Sequence, residues 1–252
     1  MNKREKNQDI RLWAVLIWLL VWQLGSMALN SDILLVSPVK VVLRLFELMG
    51  ESGFWKSIAY SLIRIAGGFF LALLAGGLFA ALSARFRSAR QLFAPLILFS
   101  KTVPVASFII LALVWLSSRN LSIFISFLMV FPVIYTNVLN GIMETNRELL
   151  EMAEVFSIPQ GRRIRYIYLP QLMPYLRAGC SVGLGLCWKS GIAAEVIGMP
   201  KGSIGERLQQ AKVYLDTADL LAWTLVIVVV SLLFERWVLR LLDRADRVWE
   251  RR

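Results

Sequence analysis

The chain has 252 residues, 58% of them apolar, and a net charge of +11 from 28 Lys and Arg against 17 Asp and Glu; its mean hydropathy is +0.63. A soluble domain holds about 45–50% apolar residues, so one soluble globule is excluded. The absence of histidine excludes a Ser-His-Asp triad, a His-liganded zinc and a histidine proton relay, and two cysteines are too few for a disulfide-rich scaffold or a four-cysteine metal site.

Six stretches approach or exceed the ~20 residues that cross ~30 Å of hydrocarbon. The first, Leu12–Leu29, follows the basic start Lys3-Arg4-Lys6. Its apolar run is longer than the 7–15 residues usual in a signal peptide, which favours a retained span over a cleaved leader. Next comes an amphipathic segment. Ser37 and Pro38 suit an N-cap and first helical position. Val41, Val42, Leu45 and Leu48 share a face, as in a helix lying on a membrane surface. The second span is expected at Ser57–Ala84, the third at Leu92–Leu116 and the fourth at Leu121–Met143. The fifth is expected at Gln171–Ile197 and the sixth at Leu220–Leu242. The glycines of the second and fifth spans, Gly179 and Gly183 among them, have the small-residue spacing of close helix contacts. Cys180 and Cys187 stand two turns apart, about 10 Å, too far for a disulfide, and read as buried thiols. The whole, residues 1–252, reads as one all-α polytopic membrane domain.

The basic residues sort by side. With both termini cytoplasmic, eighteen Lys and Arg fall on inner segments: Lys3, Arg4, Lys6 and Arg11, then Arg85–Arg90, Arg147–Arg177 and Arg236–Arg252. Seven fall outside: Lys40, Arg44, Lys56, Arg119, Lys201, Arg207 and Lys212. This bias sets the orientation and removes the need for a nucleic-acid partner. Arg64, Lys101 and Lys189 lie within spans. An ammonium at a helix centre costs about 2.5–3.5 kcal/mol on insertion scales. Two readings stand for the lysines. They line an anion path, with Pro104, Trp188 and Glu195 nearby, or they are snorkelled or ion-paired to hold the bundle. Arg64 reads as structural, near the outer surface.

The segment 145–170 between the fourth and fifth spans is too polar to cross a membrane. Thr145 and Glu148 make a capping box. Leu149, Met152, Ala153 and Phe156 then share one face of a helix. A turn follows at Ile158-Pro159-Gln160-Gly161, then a short helix Arg162–Tyr168, and Leu169-Pro170 redirects the chain into the fifth span. This elbow suits docking into a partner's groove or resting on the membrane.

This segment resembles the signature E-A-A-x3-G-x9-I-x-L-P of inner-membrane permease subunits of ABC importers. Glu151, Ala153, Ile167, Leu169 and Pro170 match at the correct spacing, while Met152 replaces an alanine and Ser157 the glycine. Other segments are similar to the nitrate/sulfonate/taurine type: Leu35–Pro38, Ser61–Phe69, Lys101-Thr102-Val103-Pro104, Phe131-Pro132, Ala194-Glu195 and Ser203-Ile204-Gly205. The resemblance implies a pair of permease subunits on two copies of an ATPase subunit, fed by an external solute-binding protein, in a bacterial inner membrane. Glu151, Ala153, Ser157, Gly161, Ile167, Leu169 and Pro170 would then meet the ATPase. No G-x4-G-K-[ST] loop is present, so no cofactor is expected on this chain and ATP belongs to the partner. Sulfonates, nitrate, bicarbonate and pyrimidine vitamin precursors are the solutes implied. The alternative is a secondary transporter or channel without an ATPase. It would be marked by broken half-helices, inverted repeats and paired intramembrane carboxylates, and it leaves the elbow without a purpose. An intramembrane enzyme lacks the usual acid/base pairs.

Overall fold

The computed structural model describes residues 12–29, 31 and 35–250; Lys3, Arg4, Lys6, Arg11, Arg251 and Arg252 lie outside the described residues. Regular structure among those described is helical throughout, in the order α1 (Leu12–Leu29), α2 (Pro38–Met49), α3 (Ser52–Arg85), α4 (Arg87–Thr102), α5 (Val105–Trp115), α6 (Ser118–Met143), α7 (Arg147–Val155), α8 (Gln160–Arg163), a π turn (Ile164–Tyr168), α9 (Leu169–Gly198), α10 (Ile204–Val213) and α11 (Thr217–Glu250). Four long apolar helices can each cross a membrane: Ser52–Arg85, Ser118–Met143, Gln160–Gly198 and Thr217–Asp246. This is a multi-pass membrane protein.

Of the six expected stretches, the third needs correction. The stretch Leu92–Leu116 is not one helix but the pair α4 and α5, bent by 109° at their junction. Pro104 is the cause. Its ring disfavours helical backbone at the preceding residue, and Val103 accordingly sits in the extended region at φ −76°, ψ 132°. Pro104 then serves as the N-cap of α5. The first stretch, α1, is a shorter apolar helix beside the four long ones. Its 18 residues reach about 27 Å. It is tied down by the Trp22 indole, which donates to the Val36 carbonyl at 3.0 Å, and by the Ser26 hydroxyl, which donates to that of Leu35 at 3.0 Å.

α3, α6 and α9 form the packed centre, and small residues let them close. A Cβ at Gly68 would lie 2.4 Å from the Ile123 carbonyl oxygen of α6. Gly179 and Gly183 of α9 likewise face α6, against Asn137 and Val130. With no hydrophobic drive between helices in lipid, such close approach supplies the association. Cys180 and Cys187 are free and buried in this contact.

The contacts order the two ends of the bundle. At one end the Arg90 guanidinium reaches Met143, and Arg177 pairs with Asp243 at 2.9 Å; the ends of α3, α6 and α11 meet the start of α9 there. At the other, Arg64 of α3 donates to the Arg119 carbonyl at the start of α6 and lies 4.4 Å over the Tyr60 ring. α2 belongs to this second end. Ser37 caps it, accepting from the Lys40 amide at 3.4 Å. Val41 and Leu48 are buried, whereas Val42 is exposed. Arg44 bonds to Asp219 of α11 at 2.5 Å and Glu47 at 2.8 Å, and the Asp219 hydrogen bond, then that to Glu47, raises its guanidinium pKa further.

Candidate functional site

The elbow is built from local rules. Met143 ends α6, and Asn146 rather than Thr145 caps α7: its side chain accepts from the amides of Glu148 (2.8 Å) and Leu149 (3.4 Å). Thr145 is buried and donates to the Gly141 carbonyl at 3.2 Å, so its hydroxyl is spent on the preceding helix. The Asn146 amide donates to Gln171 at 2.9 Å, and the Tyr175 hydroxyl donates to Glu144. Both fasten α7's start to α9.

α7 ends in a Schellman turn. The Ile158 amide donates to the Ala153 carbonyl at 2.8 Å and the Ser157 amide to that of Glu154 at 2.9 Å. Ser157 takes φ +51°, the left-handed conformation that favours glycine. The serine therefore occupies the same turn the signature glycine serves, at a backbone cost. Arg163 staples the turn from across it, donating to the carbonyls of Ile158 (2.7 Å) and Ala153 (3.1 Å).

Beyond the turn the chain does not redirect at Leu169-Pro170. α8, the π turn and α9 run on as one helical segment, Gln160–Gly198. A proline inside a helix removes an N–H and crowds the preceding turn. Here Pro170 follows the widened turn Ile164–Tyr168, which absorbs both effects.

The seven predicted elbow residues are thus gathered on α7, the turn and the first part of this long helix. Ala153 is fully buried beneath the turn and Ile167 is buried, while Glu151, Ser157, Gly161 and Pro170 are exposed and Leu169 is half-buried. Around them apolar side chains face outward: Val155 (80% exposed), Phe156 (73%), Ile164 and Tyr166. Of the face read from the sequence, only Ala153 is buried.

The five predicted path residues divide into two sets. Lys101 and Pro104, at the α4–α5 break, are exposed, and so is Lys189 on α9. The Lys101 ammonium donates to the Thr136 hydroxyl of α6 at 3.1 Å. α5, α6 and α9 are in mutual contact, and α4 touches α6. Trp188 and Glu195 lie behind this surface. Trp188 is buried with its ring 6.3 Å from that of Phe234 on α11. Glu195 is 0% exposed and held by α3 and α10.

Sequence reasoning passed over Asn146, Arg163 and Gln171, whose roles depend on groups distant in the chain. It passed over the N-cap Ser203 as well, although Ser203 and Glu206 have capping-box spacing. The Ser203 hydroxyl accepts the Glu206 amide at 3.0 Å.

With this geometry in place, the chain can be set beside known proteins. Residues 68–247 match the family described as binding-protein-dependent transport system inner membrane component. The chain belongs to that family: it is a permease subunit of an ABC importer, a membrane component and not a catalytic enzyme. The taurine transport system permease protein TauC of Escherichia coli is 28% identical over 257 residues, covering 98% of this chain and 90% of the relative. The putative aliphatic sulfonates transport permease protein SsuC of Bacillus subtilis is 30% identical, covering 91% and 83%. The riboflavin transport system permease protein RibX of Chloroflexus aurantiacus is 27% identical, covering 90% and 87%. The bent α4–α5 pair is therefore a feature of an ABC permease here, and the secondary-transporter or channel reading finds no support.

Proposed function

We propose that this subunit, one permease domain over residues 1–252, pairs with a second copy of itself on two ATPase subunits. It carries a small polar or anionic solute delivered by an external binding protein. The observation that carries the coupling is the elbow. It holds a fixed turn, exposed apolar side chains and charged flanks, and it is stapled to a helix that runs without a chain break to the far end of the bundle. ATP resides on the partner, and its binding shifts a two-state equilibrium by its different affinity for the open and closed ATPase. The elbow end carries Arg85, Arg87, Arg90, Arg147, Arg162, Arg163, Arg165, Arg177, Arg236, Arg240 and Arg244, which supports its placement in the cytoplasm, with both termini there.

Glu151→Arg, at an exposed position, and Ala153→Asp, which disrupts the buried turn beneath it, are expected to cut retention of the ATPase on the purified permease at least tenfold, with the amount of permease in the membrane unchanged. Retention at the wild-type level in both variants sinks the coupling assignment.

For the solute, the relatives are named for taurine, aliphatic sulfonates and riboflavin, so family membership alone does not select an anion. Lys101 and Lys189 support one. Both are exposed, Lys101 on α4 and Lys189 on α9, helices that each pack against α6 inside the span region, where a bare ammonium is costly unless it meets water or an anion.

A further inference from the structure

At the end of the bundle away from the elbow, a carboxylate is buried at a three-helix junction. Glu195 lies in the last turn of α9 and is 0% exposed. Its Oε2 accepts from the Ser61 hydroxyl of α3 at 2.6 Å and from the Gly205 amide of α10 at 3.3 Å. The Ser61 Oγ in turn accepts from the Ile204 amide at 3.0 Å. Two of the amides that α10 leaves unsatisfied at its N-terminus are thereby taken up, one by an anion at the positive end of the helix. Ser203 and Ile204 are fully buried here, and a Cβ on Gly205 would fall 2.3 Å from that of Glu195.

A buried carboxylate is an expensive way to pack helices; an apolar side chain of the same volume often serves stability as well. Its second oxygen, Oε1, makes no hydrogen bond of good geometry, and the buried Ser122 hydroxyl of α6 is the polar group beside this carboxylate. What the carboxylate supplies is directional attachment: it bonds α10's backbone itself, with no flexible side chain between. It does so from α9, and α9 is the upper part of the 39-residue helix that begins in the elbow, about 58 Å long at 1.5 Å per residue.

We propose that Glu195 and Ser61 form a positioning clamp that ties α10 to α9. A displacement of the long helix at the elbow is then delivered to the opposite end of the bundle as a displacement of α10. By linkage, whatever docks on α10 biases the elbow with the same coupling free energy. The inference rests on the coupling reading of the elbow. Arg64, one turn beyond Ser61, is engaged with the Arg119 carbonyl and the Asn120 side chain and holds α6, while Ser61 and Glu195 meet the amides of α10.

The test uses the assembled permease–ATPase complex in lipid nanodiscs, with ATP plus vanadate as the probe and amide hydrogen exchange as the readout. In the wild type, ATP–vanadate is expected to alter exchange both in the elbow (147–163) and in α10 (204–213). In Ser61→Ala, and in Gly205→Ala, whose new methyl wedges α10 off Glu195, the elbow response persists and the α10 response falls at least fivefold. Glu195→Gln, which keeps the acceptor oxygen and the shape, retains at least half of it. An α10 response at the wild-type level in Ser61→Ala overturns the clamp, as does a wild-type complex whose elbow responds while α10 does not. An elbow that does not respond in the wild type overturns the coupling reading and the clamp together. Exchange in α3 and α6 reports the fold of each variant. If Gly205→Ala loses that protection, Ser61→Ala, which only trims a hydroxyl, decides.

Discussion

The two ends of the long helix reverse the usual placement of side chains. At the elbow, Val155 and Phe156 point outward while the small Ala153 beneath them is buried; at the opposite end, Glu195, Ser61 and Ser203 are inside with almost no exposure. Exposed apolar surface is stable only while something else covers it, and contiguous patches mark interaction sites. Buried polar groups are tolerated only where they find partners. On the proposed reading the elbow meets a subunit outside this chain, whereas the Glu195 end makes a contact within it. One helix joins an exposed apolar surface to a junction whose polar groups meet within the chain.

This contrast can be broken at either end. The largest effect is expected from Phe156→Asp, which places a charge in the exposed apolar face. An interface anchor is worth about 2–4 kcal/mol, or about 30- to 1000-fold in affinity. Titration of the purified ATPase onto the permease checks it, and thermal unfolding of the permease alone should not move. A variant that unfolds earlier and binds normally would mean that Phe156 packs within the chain.

Inside the bundle, Gly68→Leu should destabilise the α3–α6 contact by about 1–3 kcal/mol, because any Cβ meets the Ile123 carbonyl. Gly77→Ala, with open space around its Cβ position, should be neutral or slightly stabilising. Equal melting shifts for the two would remove close packing as the reason for these glycines.

Between the ends, Lys101→Gln and Lys189→Gln should lower uptake of taurine and alkanesulfonates into vesicles about tenfold, equivalent to about 1.4 kcal/mol. Unchanged uptake of these anions assigns the lysines to structure. The smallest effect belongs to Ser157→Gly. Relief of the left-handed backbone is worth about 1–2 kcal/mol, offset by the freedom glycine gains when unfolded. The net is a stabilisation of about 0.5 kcal/mol in local hydrogen exchange of the elbow, with transport unaltered. A destabilised turn would show that the serine hydroxyl has a further role.

Much of this was legible in the chain because it depends on neighbours a few residues apart. The apolar runs located the four long helices, although the fifth stretch belongs to a helix that starts at Gln160 and the sixth to one that ends at Glu250; Ser37-Pro38 marked the start of α2. The elbow's signature residues marked the segment that folds as α7, the turn and the start of the long helix. The errors also have local causes. Thr145 and Asn146 are both good caps, and only the path of α6 decides which is free, since Thr145 turns back to Gly141. Pro104 and Pro170 look alike as helix breakers. The first bends the chain by 109° and the second sits in an unbroken helix, because a π turn is available at Ile164–Tyr168.

By itself, then, the sequence determined the membrane-spanning class and the position of the elbow segment, each a property of composition or of short-range spacing. Only the tertiary structure decided which polar groups are inside. Glu195 and Lys189 are six residues apart in one helix, yet one is sealed among α3, α9 and α10 and the other is exposed. The two lie on different faces of α9, and α3 and α10 cover that of Glu195, where it bonds Ser61, 134 residues away along the chain. A hydrogen bond over such a separation leaves no local pattern, and it exists only once α3 and α9 have packed.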